Sequence, residues 1–172
     1  MAPTYDFLGK VTADGSSAVM TLSGIDQTYQ DLEIVCQVKT AATYGASGGK
    51  VTLNGDTSAV YSANGVRVNN AVMYGDATAG TSWFDVSFSQ GPATGSDMLG
   101  FVKFYFPNYA AAEMHTGNLW QSSLDSYSAG QASYMGVLSN PGSAVALTSF
   151  TWTGVYTIEA NCTICAYGIN YS

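Results

Sequence analysis

The stretch DLEIVCQVK, residues 31–39, decides the fold class of this chain. Its apolar residues Leu32, Ile34, Cys36 and Val38 stand at every second position. Because a β-strand points successive side chains to opposite faces, these four residues line one buried face. Mostly polar residues occupy the other positions, which is typical of an antiparallel strand with one face in water.

The same alternation recurs along the chain, in residues 17–23 and 82–89, and helical periodicity is nearly absent. Asp-Gly at residues 14–15 and Asn-Gly at residues 54–55 and 64–65 predict tight hairpin turns. Flexible loops are expected over 41–49 and 76–81. Short strands separated by such turns predict an all-β fold: a single-domain antiparallel β-sandwich, jelly-roll-like, over residues 1–172.

Composition narrows the class of protein. Of the 172 residues 10% are charged and 47% are hydrophobic. No run of 18 or more apolar residues predicts a membrane span. The N-terminus lacks the basic and apolar regions of a signal peptide. We therefore expect a soluble protein that is synthesised in the cytoplasm and does not bind a membrane.

The net charge of −7 excludes nucleic acid as the expected partner. A nucleic-acid-binding surface needs clustered cations that displace counterions from phosphates. The five basic residues of this chain are scattered instead: Lys10, Lys39, Lys50, Arg67 and Lys103.

The three cysteines, Cys36, Cys162 and Cys165, do not predict a disulfide framework, because their number is odd and no secretion signal is present. In a regular strand, residues three apart point to opposite faces and lie about 10 Å apart, beyond disulfide reach. Zinc would require further ligands, and the chain has a single histidine, His115. We expect buried free thiols, with a disulfide at a bulge or a metal site as alternatives.

Catalytic chemistry has little support in the sequence. His115 is the one histidine that could activate a nucleophile, and no Gly-x-Ser-x-Gly turn is present. Most carboxylates stand beside turns, where aspartate caps its own backbone. No calcium loop or phosphate-binding loop is recognisable. We expect a protein that is not an enzyme and uses no cofactor or metal.

Residues 98–106, MLGFVKFYF, are apolar on both faces of the predicted strand. A two-layer domain buries only one face of each sheet, so the second face needs a cover. Either the chain's own loops supply it, or another subunit does. Leu99, Phe101 and Tyr105 are therefore the candidate interface residues.

Aromatic residues are the other candidates for binding. Trp83 is expected on the outward face of its strand, opposite the inward-facing Phe84. An exposed tryptophan offers a stacking surface for a sugar or an anchor for a protein partner. The alternative is that such rings are partly buried in the sandwich.

Three short phrases carry a resemblance to a known family: IDQTYQDL at residues 25–32, LNGDT at 53–57 followed by Tyr61 and Ser62, and AYGI at 166–169. Together, in this order, they resemble a β-sandwich module of the virion proteins of tailed bacteriophages. The phrases span most of the chain, while residues 70–150 do not follow the pattern. The resemblance implies a virion structural role without catalytic residues.

Between the roles that the family implies, the lack of a fibrous shaft favours a capsid decoration (cement) protein, which binds and stabilises the capsid surface. The expected partners are the major capsid protein or another virion protein. A homo-oligomer is also expected, with a trimer as the form that matches local capsid symmetry. The alternatives are a tail or fibre module that binds host-surface carbohydrate and a polysaccharide depolymerase.

Overall fold

The fold is built from β-strands, seen in a computed structural model that describes residues 4–41, 46–69, 72–90, 100–111, 116–126, 130–140 and 145–171. Within these ranges the chain forms twelve strands and no α-helix. In chain order they are β1 (Thr4–Thr12), β2 (Val19–Ser23), β3 (Asp31–Val38), β4 (Ala46–Leu53), β5 (Tyr61–Asn69), β6 (Val72–Thr81), β7 (Phe84–Gln90), β8 (Gly100–Phe106), β9 (Thr116–Ser126), β10 (Gly130–Asn140), β11 (Ser149–Gly154) and β12 (Thr163–Asn170).

The strands form two antiparallel sheets. The large sheet has the order β1-β12-β3-β8-β9-β10-β5-β6, and the small sheet has the order β2-β11-β4-β7. Within this arrangement, β1-β12-β3-β8 and β2-β11-β4-β7 are the two four-stranded halves of a jelly roll, in which the chain repeatedly crosses between sheets. The structure confirms the predicted all-β, jelly-roll-like sandwich.

The core lies between the sheets and follows the alternation in the sequence. The four apolar residues at alternate positions of β3 are all buried, as predicted. Phe104 of β8 meets Phe150 of β11 across the two layers, with ring centroids 5.2 Å apart. Each fully buried side chain of this size contributes about 1.5–3 kcal/mol of hydrophobic stabilisation. Burial of these inward faces therefore holds the sheets together.

Two hairpins widen the large sheet beyond the small one. The β5–β6 hairpin is inserted between β4 and β7, and the β9–β10 hairpin between β8 and β11. They add the four strands β9-β10-β5-β6, which we call the extension, beside β8. Strand β7 lies against β5, β8 and β9, so the small sheet covers the near part of the extension.

The strand pairing overturns three local predictions, two of them in the extension. Asn64 and Gly65, predicted as a turn, lie inside β5 and pair with both β6 and β10. The loop predicted over 41–49 contains the start of β4, and the loop predicted over 76–81 lies within β6. Cross-strand pairing decides the conformation of these Gly-, Ser- and Ala-rich segments, because intrinsic β-propensity depends strongly on context.

Two of the phrases that carry the resemblance form hydrogen bonds that connect distant segments of the chain. Asn54 adopts a φ of 53° in the tight turn that the sequence predicts. Its Nδ2 donates to the carbonyl of Ala146 at 2.8 Å, and its Oδ1 accepts from the N–H of Thr148 at 2.8 Å. In the first phrase, Gln27 Nε2 donates to the carbonyl of Leu147 at 2.8 Å. Both phrases therefore fix the segment that leads into β11.

Candidate functional site

The solvent-facing side of β1, β12, β3 and β8 combines exposed aromatic side chains with few charges. Alternate residues of these strands point into the core, so the intervening residues share the opposite side, where the cross-strand register aligns them in rows. We call this surface the outer face. Its members are Tyr5, Phe7, Lys10, Glu33, Val35, Gln37, Phe101, Lys103, Tyr105, Cys165 and Tyr167.

Apolar side chains on the outer face are open to water. Phe7 is 60% exposed, Tyr5 is 53% exposed and Phe101 is 36% exposed. The ring of Phe7 packs edge-on against that of Tyr167, with centroids 5.8 Å apart. Val35, between the aromatic residues, is half-buried. Exposed aromatic side chains thus lie on both sides of this surface, on β1 and on β8, and exposed apolar side chains gathered on one face of a sheet indicate a contact site.

One ion pair lies in the middle of the outer face. Lys103 Nζ is 2.6 Å from Glu33 Oε2, and the side chains are 40% and 13% exposed. Such a partly exposed pair contributes at most about 1 kcal/mol to folding. The ion pair matters more for the charge of the surface, because the positive charge of Lys103 neutralises the negative charge of Glu33. With Lys10 and the buried Asp31 also counted, two positive and two negative charges lie on this side of the four strands, although the whole chain carries −7.

Hydrogen bonds hold Tyr105 in one orientation. Its hydroxyl donates to Asp31 Oδ2 and lies 3.0 Å from the Tyr171 hydroxyl. The other oxygen of Asp31 accepts from the N–H of Asn108 at 2.8 Å. Burial, and then the hydrogen bond to Asp31, raise the pKa of Tyr105, so its hydroxyl remains a donor at neutral pH. Tyr105 is thus pre-ordered for contact, which lowers the entropy cost of binding.

The extension continues the outer face beyond β8. Lys103 pairs with Gln121, Gln121 with Met135, and Met135 with Val66, so these residues form one row. Val66 is 44% exposed. Met73, which is 72% exposed, pairs with Val68 and therefore lies on the same side of the sheet as Val66. Strand spacing and rise give the whole sheet an area of roughly 34 Å by 23 Å, about 800 Å². Exposed apolar side chains therefore recur up to its far edge.

The solvent-facing side of the small sheet has a different chemistry. We call it the hydroxyl face, and its members are Val19, Thr21, Ser23, Lys50, Thr52, Ser149, Thr151 and Thr153. The Oγ1 atoms of Thr21 and Thr151 lie 3.0 Å apart in a hydrogen bond. Hydroxyl groups are well hydrated, so this side has no comparable tendency to be covered by a partner.

The candidate interface residues fall on the outer face where they are described. Phe101 is exposed there, and Tyr105 is half-buried. Leu99 lies outside the described residues, as does His115. Strand β8 therefore keeps an apolar side that the described parts of the chain cover only in part.

Trp83 lies on the other side of the molecule. It is half-buried just before β7, and Lys50 Nζ stands 3.7 Å from its ring centroid. A cation in this position is held by the electrons of the ring face. Because one face of the ring is occupied, Trp83 is less available for stacking on a sugar.

The three cysteines are free. Cys36 and Cys162 are buried, but Cys165 is half-buried on the outer face, so the expectation of buried thiols is wrong for Cys165. The reason is the alternation of β12, where Ile164 and Ala166 occupy the inward positions. Burial raises the pKa of Cys36 well above its usual range, which makes that thiol unreactive.

The sequence identified one strand of the outer face and missed its neighbours. Cys165 and Tyr167 alternate with inward residues of β12, a pattern that is visible in the sequence. Tyr5 and Phe7 lie in β1, where every residue from Thr4 to Phe7 is exposed and no alternation of burial marks the strand. Only the strand order β1-β12-β3-β8 shows that all four residues belong to the same surface as Phe101.

Other kinds of site find no support in the described ranges. There, no group of three or more His, Cys, Asp or Glu residues is placed to hold a metal ion. The same part of the chain contains no helix long and apolar enough to cross a membrane. The sequence matches no protein-family model, and no curated protein matches it significantly. Function must therefore be inferred from the outer face itself.

Proposed function

We propose that this protein is a non-enzymatic structural component of a tailed-bacteriophage virion. In this proposal it is a capsid decoration protein, and its outer face binds the major capsid protein or another virion protein. The observation that carries the proposal is the contrast between the two sides of the sandwich, one aromatic and nearly neutral, the other hydroxylated. The resemblance of the three phrases to phage virion modules supports the virion location.

The dimensions of the large sheet favour a stable protein interface. The outer face and its continuation over the extension together offer about 800 Å², which is the area that each partner contributes to an interface of standard size. Aromatic residues are enriched among those whose removal costs a complex 2 kcal/mol or more. Phe7 on β1 and Phe101 on β8 are placed to serve as such anchors, and Tyr105, on the same strand as Phe101, is already ordered.

The charge distribution also favours a protein partner. Net negative charge keeps the protein soluble and reduces non-specific binding to nucleic acid. The outer face lacks this excess charge, so a partner surface with acidic groups can approach it without repulsion. Assembly with further copies of the same chain is part of the proposal.

Exposed aromatic rings support a second function, a tail or fibre module that binds host-surface carbohydrate. Tyr5 and Phe7 are each more than half exposed, and aromatic faces pack against the apolar faces of sugars. A glycan array with the isolated protein separates this function from capsid decoration. Sugar binding that is lost in Phe7→Ala would favour the carbohydrate-binding module.

The substitution Phe101→Asp should release the protein from particles. A carboxylate buried in the interface without a partner costs several kcal/mol, so we expect an affinity at least about 100-fold lower. The fold should persist, because Phe101 is 36% exposed in the free protein. Co-sedimentation of purified protein with particles that lack it measures the binding.

Thr151→Asp is the matched control, since it adds the same charge to the hydroxyl face. This variant should bind particles like the unmodified protein. Equal losses for Phe101→Asp and Thr151→Asp, or no loss for either, would argue against the outer face as the binding surface.

A further inference from the structure

Strand β6 ends the large sheet, and within the part of the chain that the structure describes no strand pairs with its outer edge. Among the strands that the structure describes, only β5 pairs with β6. The strand is ten residues long, contains no proline and has a single charged residue, Asp76. A long edge with few charges is a template for pairing, and natural proteins usually block it.

The three other sheet edges carry such blocks. Strand β1 has an extra residue between Phe7 and Gly9, and it also carries the charge of Lys10. Strand β2 is only five residues long. Strand β7 has an extra residue opposite Ser47–Gly49 in β4. Bulges and short strands prevent the addition of a further strand to an edge.

The edge of β6 remains regular over most of its length. Its one extra residue lies between Thr78 and Thr81, near the end, so residues 72–78 form an uninterrupted run. Met73, Gly75 and Ala77 within this run are exposed. Seven regular residues can pair with an extended partner along the whole run.

We propose that β6 pairs with β6 of a second copy, antiparallel and about a two-fold axis. The axis stands perpendicular to the sheet, so each face of the sheet continues into the same face of the second copy. Directly opposite residues of an antiparallel pair share a face. The run 72–78 is therefore centred on Gly75, which lies opposite its own symmetry mate.

Charge favours a second copy as the occupant of this edge. A chain with net charge −7 repels its own copies wherever carboxylates meet. In the register centred on Gly75, the single charged position of β6, Asp76, lies opposite Tyr74 of the second copy and does not face itself. A two-fold contact also uses one surface twice, which makes it the commonest way to form a dimer.

The dimer has a consequence that rests on the proposed function. Both outer faces lie on the same side of the continuous sheet, so one dimer can bind two neighbouring capsid subunits. Binding of the first face raises the effective concentration of the second to the millimolar range. Two weak contacts would then hold the protein on the particle.

The test uses Gly75, where an added Cβ would meet no other heavy atom within 4 Å. The substitution Gly75→Lys places two like charges opposite each other across the axis. Sedimentation of the isolated protein should show a dimer that Gly75→Lys weakens by about tenfold or more. The control Val19→Lys adds the same charge to the edge strand β2 and should leave the dimer intact.

A second variant reports the geometry directly. Opposite Cα atoms of an antiparallel pair lie about 4.5–5.5 Å apart, within disulfide reach. Gly75→Cys should therefore form a covalent dimer under mild oxidation, whereas Val19→Cys should not. Unchanged thermal unfolding of each variant shows that the fold is intact.

Several results would overturn the pairing: a monomer at every concentration, a trimer, a dimer that Gly75→Lys does not weaken, or a dimer that Phe101→Asp dissociates. The last result would mean that outer faces, not edges, join the copies. These measurements use the isolated protein without particles, so they are independent of the particle-binding test. A dimer that fails to bind particles would refute the proposed function and leave the pairing of β6 intact.

Discussion

Replacing Gly49 with alanine is expected to destabilise the protein by about 3 kcal/mol and to lower its melting midpoint by roughly 10 °C. Gly49 lies in β4, where an added Cβ would stand 2.2 Å from Cζ2 and 2.5 Å from Cε2 of Trp152. Trp152 is fully buried between the sheets and has no room to withdraw. The extra methyl group must therefore push β4 away from β11 or displace the indole ring.

Two controls identify the cause of this loss. Gly9→Ala, at a strand position where the nearest heavy atom would lie at an ordinary 3.7 Å, should change stability by less than about 1 kcal/mol. In a Trp152→Phe background, Gly49→Ala should cost less, because the smaller ring lacks the atoms that collide with the new Cβ. Denaturant unfolding measures all four variants. An equal cost of Gly49→Ala in both backgrounds would show that the ring is not the obstacle.

The substitution Gly168→Ala should cost about 2 kcal/mol for a related reason. Gly168 belongs to the closing phrase AYGI, and Tyr29 belongs to the first phrase. A Cβ at Gly168 would lie 2.3 Å from Cγ of Tyr29 and 2.6 Å from both Cδ atoms. Tyr29 is only partly buried, so its ring can move toward solvent, and the cost is smaller than at Gly49.

A double-mutant cycle tests the contact between these two phrases. In a Tyr29→Ala background, Gly168→Ala should be nearly neutral, because the obstructing ring is absent. Thermal unfolding of the single and double variants measures the coupling. Additive effects of the two substitutions would mean that the phrases stabilise the fold independently.

The fold class could be predicted because its cause is local. The alternation in β3 and the positive-φ turn at Asn54 are set by neighbouring residues, and both are confirmed. The extension could not be predicted, since Asn64-Gly65 is an equally good turn signal when taken alone. Pairing of β5 with both β6 and β10 overrides that preference. Long-range pairing of this kind leaves no mark in a short stretch of sequence.

The candidate site, like the fold, could be predicted only where its signal lies in a short stretch of sequence. Phe101 stands out because its strand is apolar on both sides, a local property. Tyr5, Phe7 and Tyr167 join it only through the order β1-β12-β3-β8, which brings the two ends of the chain beside its middle. One strand of the outer face, β8, could therefore be predicted from the sequence, whereas the other strands are assigned to this face by the sheet topology.

Cys165 provides a natural probe of the outer face. In the free protein a maleimide should label this half-buried thiol, whereas the buried Cys36 and Cys162 should remain unlabelled until the protein unfolds. A Thr151→Cys variant adds a reference thiol on the hydroxyl face. The two positions thus report separately on the two sides of the sandwich.

Labelling of protein bound to particles tests most directly whether another protein covers the outer face. We expect the labelling rate at Cys165 to fall by about tenfold or more on binding, while the rate at Thr151→Cys stays unchanged, since a thiol reacts only when reagent reaches it. Equal labelling of Cys165 in free and bound protein, or protection of the hydroxyl face alone, would show that the outer face is not the binding surface.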